Sequence, residues 1–177
     1  GAPAGINLQL INLGIQSRDY QVSNEMGLTL TSNEKGTCGT FGCVIEVTDG
    51  SGKHSLKVME NNPNALNEIK ILKLVEQLEE YWTFEYLTQT YVFIIGPFYE
   101  GGNLQELIDI KRSHRKETCS IFSCFSRPSS GSNILTDKNM VLNMVISLLR
   151  DLERIHDLKV IHYDLKARNV MLKTINQ

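Results

Sequence analysis

The chain has 177 residues, an apolar fraction of 41% and a formal net charge of −2. That length can bury a core as one domain or as two small lobes. The near-neutral charge excludes a global pull toward nucleic acid or acidic membranes, and no apolar run approaches the length needed to span a bilayer.

The sequence opens on Gly1-Ala2-Pro3-Ala4-Gly5, without an initiator Met and without the basic region and apolar core of a secretory signal. It therefore reads as cut or processed from something longer. Residues 6–10 and 27–30 alternate over short stretches and predict edge strands, or an N-terminal extension over residues 1–27. From residue 28 to 58 the pattern predicts a three-strand meander. Its first strand ends near Asn33, glycine-rich turns follow, and the second strand covers 42–48. Asp49-Gly50-Ser51-Gly52 is a hairpin turn signal, and the third strand covers 54–59. Asn62-Pro63 opens a helix, with Asn62 as cap and Pro63 at the first position. Leu66, Ile69, Leu72 and Val75 share one of its faces, to about Leu78. Two further strands, 82–87 and 91–95, flank the turn Thr88-Gln89-Thr90.

Gly101-Gly102-Asn103 interrupts the pattern, and residues 104–110 predict a short helix. Residues 111–133 carry five Lys/Arg, one Glu and many Ser, and read as a flexible insert, with a docking or phosphorylated segment as the functional alternative. Thr136 is placed to cap a long helix running to His156, with Leu142, Val145, Leu149, Leu152 and Ile155 as its buried stripe. The four cysteines form two Cys-x4-Cys pairs, Cys38/Cys43 and Cys119/Cys124. With no His at ligand spacing, they are expected to be reduced thiols of a cytoplasmic or nuclear protein rather than a zinc site or a disulfide framework.

His162-Tyr163-Asp164-Leu165-Lys166-Ala167-Arg168-Asn169 is the most informative stretch. It lies between Val160-Ile161 and Val170-Met171-Leu172, which read as short strands. The string matches H-R-D-L-x-x-x-N at every defined position except the Arg, here Tyr163. Upstream, Thr37-Cys38-Gly39-Thr40-Phe41-Gly42-Cys43-Val44 is similar to G-x-G-x-x-G-x-V, with Thr37 at the first Gly position. Lys57, in His54-Ser55-Leu56-Lys57, looks like the Lys of a V-A-I-K strand. Its alternation places it on the face of Ser55 and Met59. Glu68 follows on the helix, eleven residues later. Residues 91–104, through Gly96-Pro97-Phe98-Tyr99 and Gly101-Gly102, look like a hinge and the helix after it.

In this order the segments resemble the eukaryotic-type protein kinase family, over roughly residues 28–177. The resemblance implies an α+β fold: a five-stranded antiparallel sheet plus helix as N-lobe, with a hinge, over 28–100, and the beginning of a helical C-lobe over 101–177. It implies ATP and Mg2+ as cofactors and a protein Ser/Thr hydroxyl as acceptor, Lys166 being the Ser/Thr-type residue. ATP contacts fall on Thr37, Cys38, Gly39, Thr40, Phe41, Gly42, Val44, Lys57, Glu68 and, at the hinge, Pro97, Phe98 and Tyr99. Asp164 and Lys166 become the catalytic pair, and Asn169 the metal ligand. His162 is expected to pack the loop from below, and Tyr163 implies no Arg-dependent phosphate switch.

The chain carries no Asp-Phe-Gly and no activation segment after Leu172. It is therefore expected to be part of a longer or cleaved kinase, weakly active alone. A C-terminal kinase portion or a partner chain is expected to cover the stripe at 142–155. Two other readings stay open. One is a pseudokinase-like module that binds nucleotide or a partner without transfer. The other is a small-molecule phosphotransferase sharing H-x-D-x-x-x-x-N, against which Lys166 and Glu100-Gly101-Gly102 argue.

Overall fold

The computed structural model describes residues 5–22, 29–117 and 138–173. They divide into two compact units, one ending at Phe98 and the other beginning at Tyr99. In the first unit a five-stranded sheet is built from β1 (Thr31–Gly39), β2 (Gly42–Asp49), β3 (Gly52–Glu60), β4 (Glu80–Tyr86) and β5 (Gln89–Pro97). Its order is β1-β2-β3-β5-β4, and every neighbouring pair is antiparallel. Helices α1 (Leu8–Val22) and α2 (Pro63–Leu74) complete the unit. This is the α+β arrangement anticipated from the sequence.

Strand alternation gives the sheet two apolar faces. Cys43, Ile45, Val47, Leu56, Val58, Tyr91, Phe93 and Ile95 form one core with Ile6, Leu10, Ile11 and Ile15 of the α1 region. Met59, Val92 and Ile94 form a second core with Ala65 and Ile69 of α2. Asn62 caps α2 through Oδ1, which accepts from Ala65 N at 3.0 Å, and Pro63 opens the first turn.

The N-terminal segment departs from the sequence expectation. Residues 6–10 are not an edge strand: α1 begins at Leu8 and packs on the sheet. Trp82 Nε1 donates to Gly14 O at 3.0 Å, and Arg18 Nε and Nη2 donate to the Glu80 carboxylate at 3.0 and 2.7 Å. The Trp82 ring stacks on Phe93 and Phe84 meets Phe93 edge-on, so the aromatic cluster lies on the α1 face. Residues 27 and 28 of the second expected edge strand lie outside the described residues. Leu10 is fully buried. Leu10→Ala should cost about 2–5 kcal/mol in urea unfolding; a cost near zero would mean that α1 is not part of this core.

The β2–β3 turn carries a charged cluster that the turn signal alone did not reveal. Ser51 donates its hydroxyl and backbone N–H to Asp49 Oδ1, at 2.6 and 2.8 Å. His54 Nε2 lies 3.0 Å from the same oxygen, and His54 Nδ1 lies 2.5 Å from Glu79 Oε2. Burial opposes charging of the ring, but hydrogen bonds and attraction to Asp49 and Glu79 outweigh it and raise the His54 pKa above 6.5. Burial also opposes ionisation of Asp49, but hydrogen bonds from Ser51 and His54 lower its pKa from 3.8 to about 2. The His54 contribution is complete below pH 6.5 and is lost as pH rises through the raised value. The Asp49 contribution is present above pH 3.8 and is lost as pH falls through about 2. Melting temperature against pH should therefore peak between these limits. His54→Gln should flatten the alkaline limb and leave most of the acidic one, which rests on Ser51. An unchanged alkaline limb would contradict this.

In the second unit α3 spans Leu104–Glu117 and α4 spans Lys138–Asp157. α3 runs past Ile110 into the basic segment expected to be a flexible insert, whose residues 118–133 lie outside the described set, as does Thr136. Lys, Arg and Glu are good helix formers, so a change in composition did not mark the helix end. Asn103 Oδ1 accepts from Glu106 N at 3.0 Å and Glu106 Oε2 accepts from Asn103 N at 3.1 Å, a reciprocal cap. No residue of α4 is buried; Leu142, Val145 and Leu149 are exposed and Leu152 and Ile155 half-buried, so among the described residues most of the predicted stripe is uncovered. Among the described residues, no helix is long and apolar enough to cross a membrane.

Candidate active site

The β1–β2 turn, Thr40-Phe41, is closed by the register pair Gly39–Gly42, with the pair Cys38–Cys43 next to it. Thr37, Cys38, Gly39 and Thr40 are exposed there, and Phe41 is 67% exposed. Gly42 has φ 144°, and a Cβ on it would collide with the carbonyl of Val58, so this position requires glycine. Cys38 and Cys43, expected as free thiols, are joined by a disulfide. A spacing that looked like a ligand pair in the primary sequence becomes a directly opposed cross-strand pair once the hairpin forms. Cys119 and Cys124 lie outside the described residues.

Val44 pairs with Lys57 across β2 and β3. Directly opposed residues project from the same face. This is the α2 face, since Cys43 and Val58 on either side belong to the α1 core and Met59 belongs to the α2 core. Lys57 Nζ donates to both carboxylate oxygens of Glu68, at 2.7 and 2.8 Å, with both side chains a little over a quarter exposed. The ammonium is thus fixed on the sheet face of Val44, the residue that closes the glycine-rich motif. Ser55, opposite Gly96 on the same face, donates its hydroxyl to Gly96 O at 3.2 Å. Pro97 pairs with His54 at the end of β5. Lys53 Nζ lies 5.4 Å from the centre of the Phe98 ring. Tyr99 begins the second unit, and its carbonyl accepts from Gly102 N at 3.2 Å.

In the second unit, residues 160–172 form an irregular loop containing a short 3-10 turn, Ala167–Asn169. Val160-Ile161 is not a strand, and Ile161 is 60% exposed. The second expected strand reduces to a single bridge between Asn103 and Met171. Backbone hydrogen bonds tie this end of the loop to the segment before α3: Leu104 N to Val170 O, Leu172 N to Gly102 O and Gly101 N to Leu172 O. A Cβ on Gly101 would collide with the Leu172 carbonyl, so the close approach depends on that glycine.

Asp164 is the centre of this loop. Lys166 Nζ lies 2.8 Å from Asp164 Oδ2. Asn169 Nδ2 donates to Asp164 O at 2.8 Å and to Oδ2 at 3.0 Å. Lys166, chiefly by its hydrogen bond, holds the Asp164 pKa below its ordinary value against desolvation, with help from the Asn169 hydrogen bond and the charges of Lys166 and His162. The carboxylate is therefore ionised at neutral pH. Its backbone N–H donates to His162 O at 2.8 Å and to His162 Nδ1 at 3.3 Å. His162 is exposed, so it orders the turn by these bonds and does not pack beneath the loop. Tyr163 has φ 57° and is 91% exposed.

The sequence-derived site residues thus fall into two sets: Lys57 with Glu68 near Val44 and the glycine-rich turn in one unit, and Asp164 with Lys166 and Asn169 in the other. Among the described residues, no group of three or more His, Cys, Asp or Glu could hold a metal ion.

The family model for protein tyrosine and serine/threonine kinases matches residues 34–177. The chain belongs to this family. No curated protein sequence matches the chain.

Proposed function

We infer that the chain is the nucleotide-binding and catalytic-loop part of a kinase that moves the γ-phosphate of ATP to a Ser or Thr hydroxyl of a protein. The observation that carries this reading is Asp164, ionised and held between Lys166 and Asn169. A fixed carboxylate suits the task of taking up the proton of an attacking hydroxyl, and the neighbouring Lys suits a transferring phosphoryl group. Lys166 also supports Ser/Thr over Tyr acceptors.

The residues fit ATP and Mg2+. Thr37, Cys38, Gly39, Thr40, Phe41 and Gly42 form a tip whose backbone can approach phosphate oxygens, and Val44 offers an apolar surface beside it. Lys57, anchored by Glu68, supplies the cation, and Pro97, Phe98 and Tyr99 are the hinge contacts for the base. Asn169 turns its NH2 to Asp164, which leaves its amide oxygen as a ligand for Mg2+. That is one donor for a cation that takes six, so phosphate oxygens and water supply most of the rest. When bound, the cation offsets phosphate charge.

A titration with a fluorescent ATP analogue tests the binding half of this reading. Saturable signal displaced by ATP and diminished by a Mg2+ chelator is expected. Absence of ATP-competable binding would overturn it. Binding without transfer in the complete gene product would favour the pseudokinase reading, and a phosphorylated sugar or antibiotic would favour the small-molecule one. The stripe at 142–155 we assign to cover by a C-terminal kinase portion or a partner chain.

A further inference from the structure

The disulfide between Cys38 and Cys43 lies within the glycine-rich hairpin and encloses only Gly39, Thr40, Phe41 and Gly42. Those four residues are the end of the tip whose backbone the nucleotide reading requires. The two residues differ in access: Cys38 is exposed, whereas Cys43 is 1% exposed and belongs to the core on the α1 side of the sheet. Cys43 therefore projects from the face opposite Val44 and Lys57. The bridge leaves the phosphate side of the hairpin open and braces the tip from behind.

We propose that Cys38–Cys43 is a thiol–disulfide exchange site that sets the affinity of the glycine-rich hairpin for nucleoside triphosphate. The proposal rests on the nucleotide-binding reading above. In the oxidised form the tip is closed into a six-residue covalent ring, so less freedom is lost when its amides align on phosphate oxygens. In the reduced form only the β1–β2 register pairs hold the ends of the tip.

The exchange needs a dithiol. Its thiolate attacks the exposed Cys38 sulfur, forms a mixed disulfide and expels Cys43 as thiolate, which takes up a proton. The second thiol of the dithiol then attacks its own bridging sulfur and releases Cys38 as a thiol. Two electrons and two protons pass to the pair, and the dithiol becomes a disulfide. The reverse reaction, with a disulfide as oxidant, closes the bridge. In a reducing compartment the pair rests as thiols, and oxidation raises nucleotide affinity.

The test uses the 177-residue chain with and without dithiothreitol, the state of Cys38 and Cys43 being read by alkylation and peptide mass. Reduction should weaken MgATP binding about five- to tenfold and speed amide exchange at residues 39–42. Saturating MgATP should make the pair harder to reduce by the same factor, because the coupling is reciprocal. Cys38→Ser changes an exposed position and leaves the packing around Cys43 in place. It should bind like the reduced chain and ignore dithiothreitol. Equal affinity and equal exchange in the two states would overturn the proposal, as would recovery of Cys38 and Cys43 only as thiols after incubation with oxidised glutathione. Exchange that responds to reduction in a chain that binds no ATP in either state would keep the thiol-controlled tip but overturn its link to nucleotide, and the kinase reading with it.

Discussion

Lys57→Met should abolish most phosphoryl transfer, by about 10²–10³-fold, and weaken MgATP binding measurably. Met keeps most of the length and the apolar body of the side chain and removes the charge with its hydrogen-bond donors. In the native chain Nζ is anchored by both Glu68 oxygens, at 2.7 and 2.8 Å, so the cation does not have to be ordered when phosphate arrives. In the variant that cation is gone and Glu68 stays as an unpaired negative charge on the same face, which opposes a polyanion. Glu68→Gln should lose less, since the ammonium stays and only its anchor weakens. The pair is partly exposed, so neither change should lower stability by more than about 1 kcal/mol. Titration with the fluorescent analogue, a transfer assay and a thermal melt separate these effects. Wild-type affinity and turnover in Lys57→Met would remove Lys57 from the site.

Asp164→Asn should lower turnover by about 10²–10⁴-fold while nucleotide affinity stays near wild type. The amide preserves shape and can still meet Lys166 and Asn169, but it cannot accept a proton from a hydroxyl nucleophile. Its effect should therefore appear in kcat, in contrast to the combined loss for Lys57→Met. Because Lys166 holds the Asp164 pKa low, ionisation of this carboxylate should contribute no limb to the rate profile near neutral pH. A variant that binds less nucleotide and turns over normally once saturated would contradict the assigned role.

The sheet was legible because its signals are local. Asp49-Gly50 marks a turn, apolar positions alternate along β2 and β3, and β5 is a continuous apolar run buried on both faces. Alternation also placed Lys57 on the face of Ser55 and Met59. α1 was hidden by the stretch from Ile6 to Leu10, which alternates like a strand. Its helical period emerges only through Leu10, Ile11, Gly14, Ile15 and Arg18, and two of those buried positions hold a glycine and a charged residue. Arg18 is tolerated there because Glu80, distant in sequence, meets it. The Cys38–Cys43 bridge and the His54–Glu79 contact likewise depend on pairing between strands, which residue spacing along the chain does not display. The catalytic loop was legible as a motif, but its internal geometry was not. The bonds from Asn169 and Lys166 to Asp164 follow from a 3-10 turn that has no strong sequence signal.

The most direct test is phosphoamino-acid analysis of protein substrates labelled from γ-phosphate-labelled ATP by the complete gene product, with Lys57→Met and Asp164→Asn in parallel. We predict phosphoserine and phosphothreonine from the wild type and near-complete loss of both from either variant. Label confined to phosphotyrosine, or label undiminished by both substitutions, would contradict the account.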